Sequence, residues 1–457
     1  MMAFEYPHIL RKYIYPLSQR IRKRDYLKMM EEASRNQYLS QEELRSFQFE
    51  KLVKLIEHAY KTVPYYQRTY RQNDIHPEDI RTWADYKNLP ILTKDHYHAN
   101  QKEFISSQPR TPLYTMGTSG STGIPTNFYL DQSFSASANI SRIRALEWWG
   151  IMLGEREMRM WGDISPLLPS RFAAIKKRWK RFYSDRLMNR RTFSANIISE
   201  EYLETLWGFI QRYRPAYIFG YAMFVFSFAS YLNDRGYDGI RLGLKAAIVS
   251  GENLFDAQIE MIHNVFNCPV VNEYGSTECG VIAYDHPCGE MHLMDEIIVT
   301  EIIRGKPEDD YGELVVTPLE NWGGPLIRYN LQDLVAPAET QEGCSIKLGL
   351  GSIKNIIGRN NDLIHLPDGR LVHGTTISTS MKFLPSIRQF QIIQKNHGSM
   401  QVLLVTKNGM LTPREEEYLH GKLSEHLGGM KIDINLVESI AREESGKYRF
   451  IRSEISD

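Results

Sequence analysis

The sequence has no long apolar run, no excess of charge and few cysteines. Over 457 residues, Lys+Arg and Asp+Glu balance at 55 each, so no overall field attracts nucleic acid or an anionic membrane. No run of 18 apolar residues occurs, so no membrane span is expected. Four cysteines do not form a disulfide framework in so long a chain, which favours a reducing compartment. Because Met1–Arg20 lacks the apolar core of a signal peptide, we expect a cytoplasmic protein.

A segment rich in glycine and hydroxyl groups lacks the lysine of the ordinary phosphate loop. Backbone N–H groups and hydroxyls, with no carboxylate among them, form a cradle for a polyanion such as a nucleotide triphosphate. No lysine follows Gly123, so the GxxxxGK[ST] loop is excluded. Polar glycine-rich tracts are also typical of linkers, so this segment alone leaves both interpretations open. The residues of the predicted cradle are Thr118, Ser119, Gly120, Ser121, Thr122 and Gly123.

The N-terminal part, residues 1–110, is predicted to be mainly helical. Its apolar stripe at helical spacing consists of Leu44, Phe47, Leu52, Leu55, Ile56 and Tyr60. Val63-Pro64 ends this helix, and Thr93 caps the next one. Asn127–Leu130 is predicted to be a strand, so the glycine-rich segment joins two strands instead of opening a helix.

Short apolar runs alternate with helical segments further along the chain. Met158–Trp161, Tyr217–Tyr221, Ala246–Val249 and the run from Pro269 are predicted strands, and Ala257–Val265 is a predicted helix. The alternation predicts an α/β fold with a mainly parallel sheet, whose ligands lie at the strand ends.

Short alternating strands follow after Glu296 and predict an antiparallel subdomain. These strands are Ile297–Ile303, Gly312–Thr317 and Leu326–Tyr329. The last hundred residues are sufficient for a small α+β domain. We therefore expect a large domain over residues 1–357 and a small, mobile C-terminal domain over residues 358–457.

Six polar motifs stand at predicted strand ends in a fixed order. They are Thr118–Pro125, Ser250–Glu252, Asn272–Glu278, Arg328–Asp333, Gly358–Asp362 and Ser445–Lys447. Taken singly, the residues of each motif are more typical of ordinary surface or core positions. Together they resemble the adenylate-forming superfamily of acyl-CoA synthetases and adenylation domains. Within it the chain is most similar to the branch of phenylacetate–CoA ligases and CapK-like capsule biosynthesis proteins, with Thr126 where most of the superfamily has lysine.

The resemblance implies that a carboxylate attacks the α-phosphate of ATP to give an acyl-adenylate and pyrophosphate. It implies that Tyr274 packs on the adenine, that Asp333 accepts from the ribose hydroxyls and that Glu278 binds Mg²⁺. It further implies that Thr277 binds the α-phosphate and that Lys447, on the small domain, stabilises developing charge. The remaining implied ATP-binding residues are Gly251, Glu252, Asn272, Glu273, Gly275, Ser276 and Arg359.

The resemblance also implies an acyl pocket formed by Trp161, Tyr221 and Ser250, whose aromatic lining favours an aryl or medium acyl acid. CoA is the expected acyl acceptor. An amine, a sugar or a carrier protein in polysaccharide or natural-product assembly is the alternative, and a non-catalytic nucleotide-binding scaffold is an alternative of another class. Asn361 stands where relatives carry a hinge aspartate, with Asp362 after it, which leaves thioester formation less certain than adenylation.

Two further features stand outside these motifs. Two thiols and two imidazoles, with the spacing C-x6-H-x-C-x3-H, offer a donor set for a closed tetrahedral zinc site. These residues are Cys279, His286, Cys288 and His292. Lys176–Arg191 is basic and contains aromatic residues, which predicts a solvated surface or a contact surface for an acceptor partner, and we expect no specific nucleic-acid binding. The sequence does not indicate the oligomeric state.

Overall fold

A computed structural model of the chain describes most of its length. The described residues are 6–21, 24–118, 126–162, 179, 181–252, 256–338, 348–359, 363–368, 371–373, 381, 384, 386–407, 409–441 and 450–455. Within these ranges, no helix is both long and apolar enough to cross a membrane.

Helices dominate the N-terminal part and flank the sheet that follows. Near the N-terminus, α1 (Tyr6–Ile9) and α2 (Tyr15–Ile21) are joined by a π-helical turn, Leu10–Ile14. The later helices are α3 (Tyr26–Asn36), α4 (Gln41–Thr62), α5 (Pro64–Gln72), α6 (Trp83–Lys87), α7 (Lys94–Ala99), α8 (Gln132–Trp148), α9 (Glu200–Tyr213), α10 (Ala222–Asp234), α11 (Asp256–Phe266) and α12 (Pro413–His426). Single 3₁₀ turns occupy Pro77–Asp79, Gln101–Phe104 and Ile240–Leu242.

Local sequence signals set several of these helix ends, and the ends at Pro64 and Thr93 were predicted. In α4 the Ser40 hydroxyl accepts from the Glu43 amide while Glu43 caps the Ser40 amide in return, so two otherwise unpaired donors at the helix start are satisfied. Helix α4 ends at Thr62, and Pro64 then opens α5 as its first residue, where its missing N–H costs nothing. Thr93 caps α7 by accepting from the His96 amide.

Nineteen strands are described, in four sheets. The strands are β1 (Leu113–Thr118), β2 (Thr126–Asp131), β3 (Glu157–Trp161), β4 (Arg190–Ser194), β5 (Tyr217–Tyr221), β6 (Ala246–Ser250), β7 (Val270–Ser276), β8 (Gly280–Asp285), β9 (Met291–Leu293), β10 (Ile298–Ile303), β11 (Gly312–Pro318), β12 (Tyr329–Pro337), β13 (Ser352–Arg359), β14 (Leu363–His365), β15 (Leu371–His373), β16 (Ile387–Asn396), β17 (Ser399–Thr406), β18 (Lys431–Leu436) and β19 (Ile451–Ser453).

The large sheet has eleven strands in the order β10-β11-β12-β13-β9-β8-β7-β6-β5-β3-β4. Strands β7, β6, β5, β3 and β4 are mutually parallel, which confirms the predicted parallel region. The antiparallel strands continue this sheet through β8 and β9 instead of forming a sheet of their own. The α/β fold class is confirmed, with the parallel and antiparallel regions sharing one sheet.

The predicted strand Leu326–Tyr329 is wrong over its first three residues. Strand β12 starts at Tyr329 because Arg328 has a left-handed backbone with φ 52°. Its amide donates to the Thr317 hydroxyl at 2.8 Å instead of to a strand neighbour. The buried guanidinium pairs with Glu301 and contacts the carbonyl oxygens of Lys87 and Leu89. Sequence alternation does not reveal a turn held by such a side chain.

The glycine-rich segment connects two strands, as predicted. Strands β1 and β2 pair antiparallel, and Thr118 lies opposite Thr126 at the end of the ladder. Residues 119–125 lie between these strands and outside the described residues. The ladder therefore fixes both ends of the segment at one place.

Apolar residues pack on both faces of the large sheet. One core includes Tyr217, Phe219 and Ile248 with the N-terminal helices, and the other includes Ile218, Ala247 and Val249 with α9 to α11. Alternating residues of β5 and β6 thus face opposite cores, as expected for strands buried on both sides. The strand ends remain available for a site.

The C-terminal residues form a separate four-stranded sheet, β18-β17-β16-β19, with its own core around α12. Strand β13 of the large sheet runs to Arg359, and β14 begins at Leu363. We propose that the large and small domains divide after Arg359, two residues beyond the boundary expected from the sequence.

Candidate active site

Three neighbouring parallel strands end at one edge of the large sheet and carry the predicted acyl pocket there. Trp161 ends β3, Tyr221 ends β5 and Ser250 ends β6. The Trp161 and Tyr221 rings are stacked with centroids 4.2 Å apart, and Tyr221 lies opposite Ser250 in the ladder. The structure thus brings the three predicted residues together. Gly220 permits this packing, since a Cβ there would lie 2.9 Å from the Met160 carbonyl oxygen.

Gly251 and Glu252 follow β6 directly. Gly251 has φ 80°, a backbone angle that favours glycine. Glu252 Oε2 accepts from the Met223 amide at 2.8 Å and so caps the start of α10. A carboxylate at a helix N-terminus is stabilised by the helix dipole. One oxygen of this predicted ATP-binding residue therefore has a structural contact.

The turn between β7 and β8 carries the predicted catalytic residues Thr277 and Glu278. It is tight: a Cβ on Gly275 would lie 2.4 Å from the Gly280 carbonyl oxygen. Gly280 itself has φ 72°. The Ser276 hydroxyl accepts from the Cys279 amide at 3.1 Å, which fixes the turn from within. Both polar side chains are half-buried at the end of the hairpin.

Tyr274 and Asp333 meet at the centre of the site. The Tyr274 hydroxyl donates to Asp333 Oδ2 at 2.6 Å. Burial raises the pKa of Tyr274 well above its usual value, and the Asp333 carboxylate raises it further. The hydroxyl therefore remains a donor at neutral pH. Asp333 lies opposite Arg359 in the antiparallel β12–β13 ladder. Three predicted nucleotide-binding residues are therefore neighbours: Tyr274 and Asp333 through their hydrogen bond, and Arg359 through the strand register.

The Glu278 carboxylate lies close to residues that pack under the β1–β2 hairpin. Burial raises the pKa of Tyr97 and of Tyr329, and the charge of Glu278 contributes to both shifts. The Tyr97 ring stacks on Phe128 of β2 at 4.7 Å, and its hydroxyl donates to the Asn127 carbonyl oxygen at 3.0 Å. Tyr97 therefore contacts the hairpin that carries residues 119–125 and is also within electrostatic range of Glu278.

Several predicted residues have other side-chain partners or lie outside the described part of the chain. The Glu273 carboxylate is buried and pairs with Arg142 of α8 at 2.5 and 2.6 Å, so contact with a nucleotide is left to its main chain. The backbone amide of Asn272 donates to the Asp285 carboxylate at 2.7 Å. Ser119 to Gly123, Asn361, Asp362 and Lys447 are outside the described residues, as are the side chains of Thr118 and Arg359.

The sequence analysis did not identify Arg142, Tyr97 or Tyr329 as residues that build the site. Arg142 holds Glu273 so that its neighbours Asn272 and Tyr274, two residues apart on a strand, point together to the other face. Tyr97 is anchored only four residues after the Thr93 cap, but no local pattern indicates its contact with Phe128. These are long-range contacts that the fold creates.

Three of the four predicted zinc ligands converge, and the fourth does not. The donor atoms of His286, Cys288 and His292 lie within 4.8 Å of one another. Cys279 is outside this group, so its inclusion was wrong. Strand β8 separates Cys279 from His286 by an extended run of about 20 Å. The cluster lies at the far end of the hairpin from Glu278 and therefore cannot brace the turn that carries this residue.

Three aromatic residues in the described part of the basic segment are exposed, whereas Arg190 at its end pairs with the buried Glu157. Trp179, Phe182 and Tyr183 are between 51% and 63% exposed and contact one another. This is compatible with the predicted contact surface, and the segment from Lys176 to Arg178 and residue 180 are outside the described residues.

Comparison with known proteins agrees with the fold and the motifs. Residues 364–454 match the family described as the CapK C-terminal domain. Protein CapK of Staphylococcus aureus is 26% identical over 413 residues, covering 89% of this chain and 88% of that protein. Phenylacetate–coenzyme A ligase of Aromatoleum evansii is 25% identical over 311 residues, covering 65% of this chain and 67% of that protein.

A solved structure has the same fold at low sequence identity. The crystal structure of 2-hydroxyisobutyryl-CoA ligase in the postadenylation state superposes with a TM-score of 0.74 at 17% identity, covering 92% of each chain. The resemblance inferred from the six motifs is confirmed by these relatives. The chain is a homologue of CapK and of the phenylacetate–CoA ligases, and it has the fold of the adenylate-forming CoA ligases.

Proposed function

We propose that this chain is an ATP-dependent, AMP-forming ligase that adenylates a carboxylic acid and passes the acyl group to CoA. The observation that carries the proposal is the hydrogen bond between Tyr274 and Asp333. Asp333 lies opposite Arg359 in the β12–β13 ladder, and Glu278 lies in the turn that follows Tyr274. Residues suited to adenosine and to phosphates thus belong to one site.

The adenosine half of this site consists of Tyr274, Asn272 and Asp333. The Tyr274 ring packs on the adenine, and Asn272, two residues before it on the same face of β7, lies near the adenine amino group. Asp333 accepts from the ribose hydroxyls. Its Oδ2 is fixed by Tyr274, so the ring and the carboxylate hold base and sugar in one orientation.

The phosphate half consists of the β1–β2 connection and the β7–β8 turn. The Glu278 carboxylate is a hard oxygen donor, which fits Mg²⁺, and the Thr277 hydroxyl would donate to the α-phosphate. The influence of the Glu278 charge on the pKa of Tyr97 and of Tyr329 supports a position near the β1–β2 hairpin. A Mg²⁺ ion bound to Glu278 would offset the repulsion between the carboxylate and the triphosphate. Thr118, Ser119, Ser121 and Thr122 would donate to the departing pyrophosphate.

The chemistry needs no general base, because the nucleophile is already an anion. A carboxylate oxygen of the acid forms a bond to the α-phosphorus of ATP, the bond to the bridging oxygen breaks, and pyrophosphate leaves with the electron pair. Lys447 stabilises the charge that develops at the α-phosphate. In the second step the sulfur of CoA, after losing its proton to water, bonds to the acyl carbon and AMP leaves.

The acyl group would lie against Trp161, Tyr221 and Ser250. Two stacked rings at the strand ends form a flat apolar wall with one hydroxyl beside it. Such a wall suits an aryl or medium acyl acid, with phenylacetate as the reference compound.

ATP–pyrophosphate exchange with a panel of carboxylic acids tests this proposal. We expect exchange that depends on an acid and is strongest with aryl or medium acyl acids. Lys447→Ala should abolish exchange and leave ATP binding nearly unchanged, whereas Lys431→Ala, an exposed lysine of the same domain, should leave both unchanged. ATP binding without exchange for any acid would instead indicate a non-catalytic nucleotide-binding scaffold.

A second candidate function differs only in the acyl acceptor. The match of residues 364–454 to the CapK C-terminal domain supports keeping this alternative, because it separates the small domain by name from that of the phenylacetate–CoA ligases. An amine, a sugar or a carrier protein would then attack the adenylate. Incubating the preformed acyl-adenylate complex with CoA and with each alternative class separates the two: rapid thioester formation supports CoA, and acyl transfer only to another acceptor supports the alternative.

A further inference from the structure

The turn between β8 and β9 brings together donor atoms that the proposed ligase reaction does not use. His286 Nδ1 is 3.0 Å from Cys288 Sγ, and Cys288 Sγ is 3.8 Å from His292 Nε2. In a tetrahedral zinc site with bonds of 2.0–2.3 Å, neighbouring ligand atoms are about 3.3–3.8 Å apart. The spacing of the three atoms therefore already approaches that of a metal's ligands.

The backbone holds these side chains in place. His286 donates its amide to the Glu290 carbonyl oxygen at 2.8 Å, and the Gly289 amide donates to the His286 carbonyl oxygen at 2.9 Å. Gly289 has φ 92°, which the turn requires. His292 lies opposite Tyr284 in the β8–β9 ladder and opposite Ser352 in the β9–β13 ladder. Such a preformed turn reduces the ordering that metal binding would otherwise require.

The surroundings suit neutral imidazole ligands. His286 and His292 are 6% and 1% exposed, and the edge of Trp148 packs against both rings, with centroids 5.0 and 6.2 Å away. The Cys288 backbone amide donates to His286 Nδ1 at 3.2 Å, so this nitrogen is unprotonated, and the Cys288 thiol lies 3.0 Å from it; metal binding would replace this hydrogen bond. An unprotonated ring nitrogen facing a thiol is the arrangement that a metal ligand needs.

A carboxylate beside the cluster has an oxygen that the fold does not satisfy. Glu290 Oε2 is buried without a hydrogen-bond partner among the described residues, and it is 3.9 Å from His292 Nε2. Leaving such an oxygen unpaired is costly, and coordination to a metal would remove the cost.

We propose that His286, Cys288 and His292 bind a structural Zn²⁺ ion, with the Glu290 carboxylate turning in as the fourth ligand. One thiolate, two imidazoles and a carboxylate are a borderline-soft donor set that suits zinc better than Mg²⁺. The ion ties the β8–β9 turn together next to β13, the strand that leads to the small domain. The site is separate from the nucleotide site, and its test does not depend on ligase activity.

Metal analysis of the purified full-length chain tests this inference. We expect about one zinc per chain when no chelator is used. Cys288→Ala should lose most of this zinc, while Cys268→Ala, a buried thiol in a separate core, should retain it. Glu290→Gln should lower zinc affinity by roughly 10–100-fold. Absence of zinc from the wild type, or full zinc content in Cys288→Ala, would overturn the proposal.

Cobalt substitution gives a readout that does not rely on a variant that could fail to fold. Adding Co²⁺ to the metal-depleted wild-type protein should produce a thiolate-to-cobalt charge-transfer band and the visible bands of a tetrahedral ion. Cys268→Ala should give the same spectrum and Cys288→Ala should lose the charge-transfer band. A wild-type protein that binds Co²⁺ only weakly, with an octahedral spectrum and no thiolate band, would contradict the proposed ligands.

Discussion

Tyr274 has two roles at the residue scale, because its ring and its hydroxyl face different partners. The hydroxyl fixes Asp333 at 2.6 Å, and the ring forms part of the proposed adenine site. Removing the hydroxyl leaves the ring in place. The substitution therefore separates positioning of the carboxylate from packing on the base.

Tyr274→Phe should raise the KM for ATP by roughly 10-fold or more, since a hydrogen bond to a charged group contributes about 1.5–3 kcal/mol. Tyr284→Phe is the matched control: it is a buried tyrosine of the next strand whose hydroxyl has no partner among the described residues. Steady-state exchange kinetics measure both. An equal KM in the two variants would show that Asp333 does not depend on Tyr274.

Asp295 gives the stability of the chain a pH dependence. It is buried, its Oδ2 accepts from the Gly351 amide at 2.6 Å, and burial raises its pKa to about 6. A carboxyl whose pKa is raised on folding stabilises the fold below its unfolded pKa, and this contribution is lost as pH rises through about 6. The shift of about two pKa units corresponds to about 3 kcal/mol between pH 4 and pH 7.

Asp295→Asn should remove this part of the pH dependence. As pH rises from 4 to 7, the free energy of unfolding of the variant, measured by urea titration, should increase by up to about 3 kcal/mol relative to that of the wild type. Asp433→Asn, an exposed residue, serves as the control. A constant difference between Asp295→Asn and the wild type over this pH range would rule out titration of Asp295.

At the scale of elements, the β7–β8 hairpin positions both halves of the candidate site. Tyr274 lies on its first strand and Glu278 in its turn, and the two are held in register by the approach of Gly275 to the Gly280 carbonyl oxygen. A register slip would move every side chain of β7 to the opposite face.

Gly275→Ala should therefore destabilise the chain by at least about 2 kcal/mol and abolish exchange, because the new methyl group would meet backbone that cannot move aside. Gly208→Ala, in the middle of α9 with open space around it, should instead stabilise by about 0.5–1 kcal/mol. Thermal unfolding distinguishes the two. A melting temperature for Gly275→Ala equal to that of the wild type would contradict the close approach.

Much of the arrangement of helices and strands could be predicted from the sequence. Local patterns predict the strands that lead to Trp161, Tyr221 and Ser250, the cap at Thr93 and the strand–loop–strand context of residues 119–125. Local patterns do not predict the structure where a side chain contacts a residue far away in the sequence and that contact determines the conformation. Arg328 turns the chain before β12 by binding Glu301, and Arg142 holds Glu273 away from the nucleotide face. Cys279 looked like a zinc ligand by spacing, but an extended strand separates it from the others.

At the scale of the whole molecule, the two domains meet at both ends of α10. Asp234, at the end of this helix, pairs with Arg388 at 2.9 Å and Lys407 at 2.6 Å of the small domain. Met223, near its start, packs with Ile440. The ion pairs are partly exposed, so together they contribute only about 1 kcal/mol, and salt screens them.

Asp234→Asn should loosen this contact, since two cations then face each other without an anion between them. At low ionic strength we expect faster limited proteolysis between the domains than in the wild type, and a smaller difference at high salt. Asp238→Asn breaks a pair with Arg241 inside the large domain and should have no such effect. Equal cleavage of Asp234→Asn and wild type at low salt would show that these pairs do not hold the domains together.

The position of Arg359 opposite Asp333 limits the distance between the start of the small domain and the proposed ribose site. Arg359 ends β13 of the large sheet and Leu363 begins β14, and four residue steps of extended chain span at most about 14 Å. The near end of the small domain therefore cannot move further than this from the residue opposite the proposed ribose site, whatever its orientation. The proposed delivery of Lys447 to a bound nucleotide would then be an intramolecular encounter, for which short tethers give effective concentrations in the millimolar range. A lysine with little affinity of its own for ATP is then sufficient, and product can leave as soon as the domain turns away.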